Sequence, residues 1–205
     1  MSTKKDFYLV TLIGFLVGVI FPLPAESFKL HLTVRLIVFS ILGFTIFAPL
    51  AFFVLKQLSR FWKPFYQIGK FAATGTLNSF IDLAILNIFL IATNISAGFL
   101  FIVFKAIAFL GGVINSYFWN KFWTFESRGA VTISETVRFF ALTLIGAFIN
   151  TGVAYVIVTY IHRFSFLNAN GWANIAAVIA IFATMAWNFV TYKIFVFPEP
   201  KPDNA

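Results

Sequence analysis

Six apolar runs, each long enough to cross a lipid bilayer, limit what this chain can fold into. A membrane-spanning helix needs about 20 apolar residues to cross about 30 Å of hydrocarbon. The runs are unbroken and do not alternate between polar and apolar residues, which argues against a membrane β-barrel. We therefore predict an all-α fold, a polytopic membrane helix bundle of about six transmembrane helices. The predicted spans are residues 7–23, 33–55, 71–92, 98–123, 137–160 and 171–197.

Composition supports a membrane environment. The chain is 60% hydrophobic and 11% charged, whereas soluble domains are about 45–50% apolar and about 25% charged. The surplus apolar surface, including 30 phenylalanines, is expected to face lipid or to pack between helices. The chain has no cysteine, which excludes disulfides and thiolate metal sites. His31 and His162 are far apart in the sequence, and we predict no metal site and no cofactor.

The distribution of basic residues predicts the orientation. A net charge of +8 would suggest a nucleic-acid partner in a soluble chain, but cytoplasmic loops of membrane proteins collect Lys and Arg. We therefore expect no nucleic acid, and we place both termini in the cytoplasm and the chain in the inner (plasma) membrane. Three basic residues fall on the outer side, Lys29, Arg35 and Arg163. Eleven fall on the side of the termini: Lys4, Lys5, Lys56, Arg60, Lys63, Lys70, Lys121, Arg128, Arg138, Lys193 and Lys201.

The first span also resembles a signal peptide, because Lys4 and Lys5 precede an apolar run and residues 22–25 read Pro-Leu-Pro-Ala. Leu23 is not the small residue that a cut after Ala25 requires, and the run is long for a signal peptide. We expect the span to be retained, with cleavage as the alternative.

Two segments of the chain repeat. Residues 70–82 align without gaps on residues 138–150, and residues 116–125 align on residues 188–197. We predict that residues 67–205 form a four-helix domain of two parallel two-helix repeats, related by an axis along the membrane normal, with chance resemblance as the alternative. Residues 1–66 then form an added transmembrane hairpin and an interfacial segment, since residues 57–69 mix aromatic and basic side chains.

Small residues predict close helix packing. Gly14 and Gly18 form a GxxxG pattern in the first span, and Gly111 and Gly112 are adjacent in the fourth. Such residues let membrane helices approach closely. The contact could lie within the chain or between protomers.

Two charged residues lie inside predicted spans, Asp82 and Lys105. An ion at the bilayer centre costs about 2.5–3.5 kcal/mol, so neither is expected to be isolated. At 1.5 Å per residue, both arrive about 10–12 Å from the outer surface. The two residues either form a structural ion pair, or Lys105 snorkels outward, or both belong to a polar chamber in which Lys105 receives an anion that Asp82 holds back.

Amide side chains extend this polar set. Asn78, Asp82 and Asn150 lie at helical spacings compatible with one interior face, where they either line a cavity or join helices by hydrogen bonds. The other amides in the repeat spans are Asn87, Asn115, Asn120, Asn174 and Asn188.

Basic residues are also expected at the cytoplasmic ends of the four repeat helices: Lys70, Lys121, Arg138 and Lys193. They serve either as topology signals or as a collar for a lipid phosphate. Trp119 and Trp123 are interpreted as aromatic-belt anchors rather than as a platform for sugar stacking.

These motifs resemble the GtrA-like family of small polytopic membrane proteins over about residues 69–197. The resemblance rests on residues 69–82, on residues 115–125, and on a looser copy in the second half. It implies a protein, usually of four spans, that moves a polyprenyl-phosphate-linked monosaccharide to the outer leaflet beside a membrane glycosyltransferase. The added hairpin, and Tyr192 at the position of Asn120, leave the sugar and the oligomeric state open. The candidate substrate-binding residues are Asn78, Asp82, Lys105, Asn115, Asn120, Lys121, Trp123, Arg138, Asn150, Asn188 and Lys193.

Two further functions stay open beside this flippase hypothesis. An ion-coupled exporter of small molecules would use Asp82 as its carrier carboxylate. A non-transporting subunit would recruit a glycosyltransferase. We predict no enzymatic activity, because the sequence has no plausible catalytic cluster, and Glu135 fits a capping box with Thr132. Expected partners are the lipid-linked sugar, membrane lipid, a glycosyltransferase and further copies of the chain.

Overall fold

The computed structural model describes residues 3–23, 33–127, 129–162 and 169–198. Within these residues the chain forms six α-helices and two π-helical turns, with no β-strand. The helices are α1 (Thr3–Ile20), α2 (Val34–Leu58), α3 (Pro64–Thr93), α4 (Gly98–Trp119), α5 (Ile133–Tyr160) and α6 (Ala169–Thr191). The first π turn (Asn120–Thr124) continues α4, and the second (Tyr192–Val196) continues α6. Sequence features outside the described residues are His31, Lys29, Arg128, Arg163, Lys201, the segment 24–25 and the Asn174 side chain.

Five helices, α2 to α6, are long and apolar enough to cross a membrane. Large apolar side chains are exposed along them; Phe39, Phe99 and Phe148 are each more than 70% exposed. Exposing so much apolar surface would be unfavourable in water, whereas it is compatible with a lipid environment. The prediction of an all-helical, multi-pass membrane protein is therefore confirmed.

The first helix, which the sequence predicts as a span over residues 7–23, is not among the five described helices that are long and apolar enough to cross a membrane. This helix has 18 residues, and its first turn contains Lys4, Lys5 and Asp6. Val10, Ile13 and Val17 recur at helical spacing and are at most 2% exposed. This face of α1 packs against α2 and α3.

The expected interfacial helix over residues 57–69 is not a separate element. α2 continues to Leu58, a turn follows, and α3 begins at Pro64. Proline suits the first turn of a helix because its missing N–H has no partner there in any case. Tyr66 belongs to α3 and is buried, whereas Phe61 and Trp62 of the turn are exposed.

The chain divides into two compact units, Met1–Glu126 and Ser127–Ala205. The first unit contains α1 to α4 and the first π turn, and the second contains α5, α6 and the second π turn. Each unit therefore holds one copy of the repeat found in the sequence.

The two copies share an unusual local geometry. Each π turn ends with an i→i+5 backbone hydrogen bond, from Phe125 N to Asn120 O at 2.9 Å and from Phe197 N to Tyr192 O at 2.7 Å. In each copy the phenylalanine that follows the π turn contacts a phenylalanine near the start of the first helix of that copy, α3 or α5. The centroid distances are 6.3 Å for Phe71 and Phe125 and 6.1 Å for Phe139 and Phe197. Because π turns are rare, their matching positions support a true internal repeat.

The predicted capping box at the start of α5 is seen in its first half. The Thr132 hydroxyl accepts a hydrogen bond from the backbone N–H of Glu135 at 3.2 Å. Such a bond satisfies one of the four free N–H groups at a helix start.

The GxxxG pattern joins α1 to α2, so its contact lies within the chain. A Cβ atom on Gly18 would lie only 2.6 Å from the Ile41 Cα and 2.7 Å from the Ser40 carbonyl oxygen. A Cβ on Gly14 would collide with the Phe44 carbonyl oxygen. The Ser40 hydroxyl also donates to the Gly18 carbonyl oxygen at 2.9 Å. The two helices therefore touch backbone to backbone.

Candidate functional site

A seam of polar side chains runs between α3 and α4. Asn78 and Asp82 lie four residues apart on α3, which places them on one face of the helix. The Asn115 Nδ2 atom of α4 donates to the Asn78 Oδ1 atom at 2.5 Å. The Lys105 ammonium donates to the Asp82 Oδ2 atom at 2.6 Å. The estimate that Asp82 and Lys105 reach the same depth is thus confirmed by their contact.

A close helix approach underlies this seam. A Cβ atom on Gly112 would lie 3.1 Å from the Asn78 carbonyl oxygen and 3.5 Å from the Asp82 Cβ. Because the backbones approach so closely, the two polar pairs can span the interface. Gly112 is therefore part of what positions them.

The seam is open to the side of the helix pair. The Lys105 side chain is 45% exposed and that of Asp82 is 23% exposed. The second carboxylate oxygen of Asp82, Oδ1, is buried and has no hydrogen-bond partner. Of the alternatives left open by the sequence, the two residues therefore form an ion pair, and its ammonium is partly exposed.

A second polar cluster lies at the start of α3, the predicted cytoplasmic end. The Lys70 ammonium is 3.1 Å from Asp6 Oδ1 of α1 and 2.8 Å from Glu126 Oε1. The Lys70 side chain is 2% exposed, that of Asp6 is 7% exposed and that of Glu126 is 60% exposed. Lys70 is therefore a buried ion with a buried partner, and not a solvated topology signal.

Two more donors converge on Asp6. The Tyr66 hydroxyl donates to Asp6 Oδ2 at 2.5 Å, and the Trp123 indole N–H donates to Asp6 Oδ1 at 2.8 Å. Burial alone would raise the pKa of Asp6, but the bonds from Tyr66, Trp123 and Lys70 hold that pKa below its usual value. Asp6 is therefore a carboxylate whose two oxygens are both occupied.

This cluster corrects two expectations. Trp123 was interpreted as an aromatic-belt anchor, but its ring is 5% exposed and its N–H is used inside the protein. Asp6 was not among the candidate residues. An electrostatic argument could have pointed to Asp6. A lysine buried at the end of a span needs an anion nearby, and Asp6 lies at the end of α1 on the same predicted side of the membrane as Lys70.

The first π turn buries further polar groups beside this cluster. Asn120 and Lys121 are at most 1% exposed, and the Lys121 ammonium lies 5.9 Å from the centroid of the Phe122 ring. The Asn120 Nδ2 atom donates to the Ser116 hydroxyl at 3.1 Å. The Asn120 Oδ1 atom and the Thr124 hydroxyl have no hydrogen-bond partner, and neither has the buried hydroxyl of Thr74 on α3.

The candidate residues of the second unit are more exposed than Lys70, Asn120, Lys121 and Trp123 of the first unit. Arg138 is exposed, while Asn150, Asn188 and Lys193 are half-buried. The buried Asn188 Oδ1 atom has no hydrogen-bond partner, and it lies 2.5 Å from the position that a Cβ on Gly146 would take. The predicted basic collar, and the face shared by Asn78, Asp82 and Asn150, each involve both units and stay predictions.

A comparison with known protein families finds a match over the region that contains the predicted repeat. The family described as "GtrA/DPMS, transmembrane domain" matches residues 70–197. The chain belongs to the GtrA/DPMS transmembrane-domain family. The resemblance seen in the motifs is thereby confirmed, and α1 and α2 lie outside the region that the family covers.

A relative from Bacillus subtilis (strain 168), the uncharacterized membrane protein YngA, is 25% identical over 132 residues. The aligned region covers 64% of this chain and 80% of the relative. No solved structure matches the chain. Because the family matches residues 70–197, the GtrA/DPMS domain of this chain contains the α3–α4 seam as well as Lys70 and Trp123.

Proposed function

We propose that this protein moves a polyprenyl-phosphate-linked monosaccharide from the cytoplasmic to the outer leaflet for cell-surface polysaccharide synthesis. The observation that carries the proposal is the Asp82–Lys105 ion pair, which lies inside two spans and is open to the side. Family membership supports the same class of substrate. The proposal includes a location in the plasma membrane with both termini cytoplasmic, and a glycosyltransferase as a neighbour.

The exposure of the pair favours a carrier site over a structural contact. Each charge inside the bilayer costs about 2.5–3.5 kcal/mol, and an apolar pair of similar volume often stabilises a fold equally well. A structural ion pair does not require an ammonium that is 45% exposed, although a Lys105 that snorkels toward the interface would also be exposed. An ammonium that must receive a lipid phosphate from the side does need that opening.

The charge balance fits this substrate. A phosphodiester that joins a prenyl chain to a sugar carries one negative charge, and Lys105 supplies one positive charge. In the resting protein Asp82 neutralises Lys105. When the phosphate takes over Lys105, one anionic partner replaces another, and the displaced Asp82 carboxylate must be hydrated by water that enters through the open side of the seam.

Asn78 and Asn115 suit the sugar. Amides offer both donors and acceptors, and these two lie next to the ion pair along α3 and α4. A sugar that exchanged hydrogen bonds with them would keep its hydroxyls satisfied inside the membrane. The prenyl chain would meanwhile stay in the surrounding lipid.

The test is leaflet-resolved transfer of a labelled polyprenyl-phosphate hexose in proteoliposomes. Lys105→Ala and the neutral double variant Asp82→Asn/Lys105→Gln are expected to lose at least 90% of the transfer rate. The double variant contains no unpaired charge and should keep the fold, so its loss reports the missing cation. Ser79→Ala is the matched control, because Ser79 is exposed on the same helix and its loss should leave the rate unchanged.

Three outcomes would contradict the proposal. Full transfer by the neutral double variant would make the ion pair structural. Wild-type protein that leaves the lipid in its original leaflet would favour a subunit that only recruits a glycosyltransferase. Proton-coupled export of small molecules that is lost in Asp82→Asn, without transfer of the lipid-linked sugar, would favour an exporter.

A further inference from the structure

The buried donors around Asp6 have the form of an anion-binding site that is already filled. We infer that Tyr66, Lys70 and Trp123 form a cradle for a phosphate group, and that Asp6 occupies it as a built-in competitor. The inference deepens the proposed function, on which it rests for the natural ligand: a lipid phosphate that waits at the predicted cytoplasmic end before it reaches Lys105.

The donor set is what identifies the ligand class. An ammonium, an indole N–H and a phenol hydroxyl converge on one carboxylate at 3.1, 2.8 and 2.5 Å. All three are donors in this arrangement, and one of them is charged, so they recognise an oxyanion. A phosphate oxygen can accept the same bonds as the Asp6 carboxylate.

The cradle and its occupant come from different parts of the chain. Lys70 and Trp123 lie within the region matched by the GtrA/DPMS family, and Tyr66 lies just before it. Asp6 lies in the added N-terminal hairpin, outside that region. Without Asp6, Lys70 would keep the Trp123 carbonyl oxygen at 3.5 Å, but its only anionic partner among the described residues would be the exposed carboxylate of Glu126.

Two buried hydroxyls that are close to the cradle residues in the sequence lack a hydrogen-bond partner, which suits a ligand with more oxygens than a carboxylate. The Thr74 hydroxyl lies one helical turn beyond Lys70, and the Thr124 hydroxyl follows Trp123. Both residues are at least 97% buried, and neither hydroxyl has a hydrogen-bond partner. A buried polar atom without a partner is uncommon in a native fold, and hydroxyls suit the further oxygens of a phosphate.

The position of Asp6 in α1 would allow its side chain to leave the cradle. Asp6 lies in the first turn of α1, and helix ends open more readily than helix centres. The contacts of Gly14 and Gly18 with α2 hold the rest of α1 in place. Release of the cradle therefore requires movement of only the first turn of α1. The natural phosphate would then have about 18 Å to travel along α3, the rise over the twelve residues from Lys70 to Asp82.

The experiment measures binding to the full chain in detergent, by equilibrium dialysis and by the shift of the unfolding temperature. The probes are inorganic phosphate, farnesyl phosphate and, for the tail alone, farnesol. Asp6→Ala and the isosteric Asp6→Asn should bind phosphate probes at least tenfold more tightly than wild type, with a saturable rise in unfolding temperature. Adding Lys70→Met to Asp6→Ala should abolish that gain.

Glu126→Ala is the matched control, because it removes the other carboxylate on Lys70 but leaves Asp6 in the cradle. It should bind the probes as weakly as wild type. Tighter binding of farnesyl phosphate than of inorganic phosphate would identify a lipid head group, and equal binding would identify free phosphate. Both results support the cradle.

The inference is overturned if the Asp6 variants bind no better than wild type, or if farnesol binds as well as farnesyl phosphate. It is also overturned if neither Asp6 variant folds even with phosphate present, since Asp6 is then a structural counter-ion. Each of these results leaves the Lys105 transfer test unaffected, so the two proposals can fail separately.

Discussion

Replacing Gly18 by alanine tests the backbone contact that holds α1 against α2. The new Cβ would lie 2.6 Å from the Ile41 Cα, whereas carbon atoms prefer separations of about 3.5–4.0 Å. The neighbouring atoms belong to the backbone and cannot rotate away, so α1 and α2 must separate by about 1 Å. Overpacking of this kind costs about 1–3 kcal/mol, and weakening the bond from Ser40 to Gly18 adds about 0.6 kcal/mol.

Alanine also favours the helix over glycine by about 0.8–1.0 kcal/mol, which offsets part of that cost. We therefore expect Gly18→Ala to lower the free energy of unfolding by about 1–2 kcal/mol, a change of about 5–30-fold in the folded-to-unfolded ratio. Reversible unfolding by dodecyl sulfate in mixed micelles measures this quantity.

Gly43→Ala is the matched control for this prediction. A Cβ on Gly43, which lies in α2, would meet nothing within 4 Å. This variant should be as stable as wild type, or more stable by up to about 1 kcal/mol. Equal stability of Gly18→Ala and Gly43→Ala would refute the backbone contact described for α1 and α2.

Two further predictions concern the second unit. Thr132→Ala should cost about 1 kcal/mol and speed hydrogen exchange at the Glu135 amide, whose acceptor is lost; exchange no faster than in the neighbouring control Ser134→Ala would contradict this. Tyr192→Phe should lower the free energy of unfolding by about 1 kcal/mol, because the buried Tyr192 hydroxyl lies 2.6 Å from the Thr143 hydroxyl. Tyr155→Phe is its control, since Tyr155 is 60% exposed; equal stability of these two variants would count against that hydrogen bond.

The spans were predictable because lipid imposes a simple rule. Every backbone polar group in hydrocarbon must be satisfied within its own segment, so long apolar runs become helices. The contact between Asp82 and Lys105 followed from the fixed rise per residue and from the short connection between α3 and α4. Both inferences need only local geometry.

The cluster around Asp6 needed tertiary information. The sequence places Asp6 and Lys70 at the same predicted side of the membrane, but it does not show that the first turn of α1 reaches Lys70 and Trp123, which lie 64 and 117 positions later. The π turns were hidden for a different reason. One extra residue in a turn shifts which side chains face inward, but it leaves a continuous apolar run unchanged. Burial of Trp123 and Lys121 follows from that shift and could not be read from hydropathy.

The proposed transport requires that water and a phosphosugar can reach the seam between α3 and α4. Since the chain has no cysteine, single cysteines report this directly in proteoliposomes. Asn115→Cys should react with a water-soluble thiol reagent, and polyprenyl-phosphate hexose should slow that reaction. The adjacent Ile114→Cys, exposed on the apolar surface of α4, should stay unreactive. If Asn115→Cys is as unreactive as Ile114→Cys, the seam is dry and the proposed path does not exist.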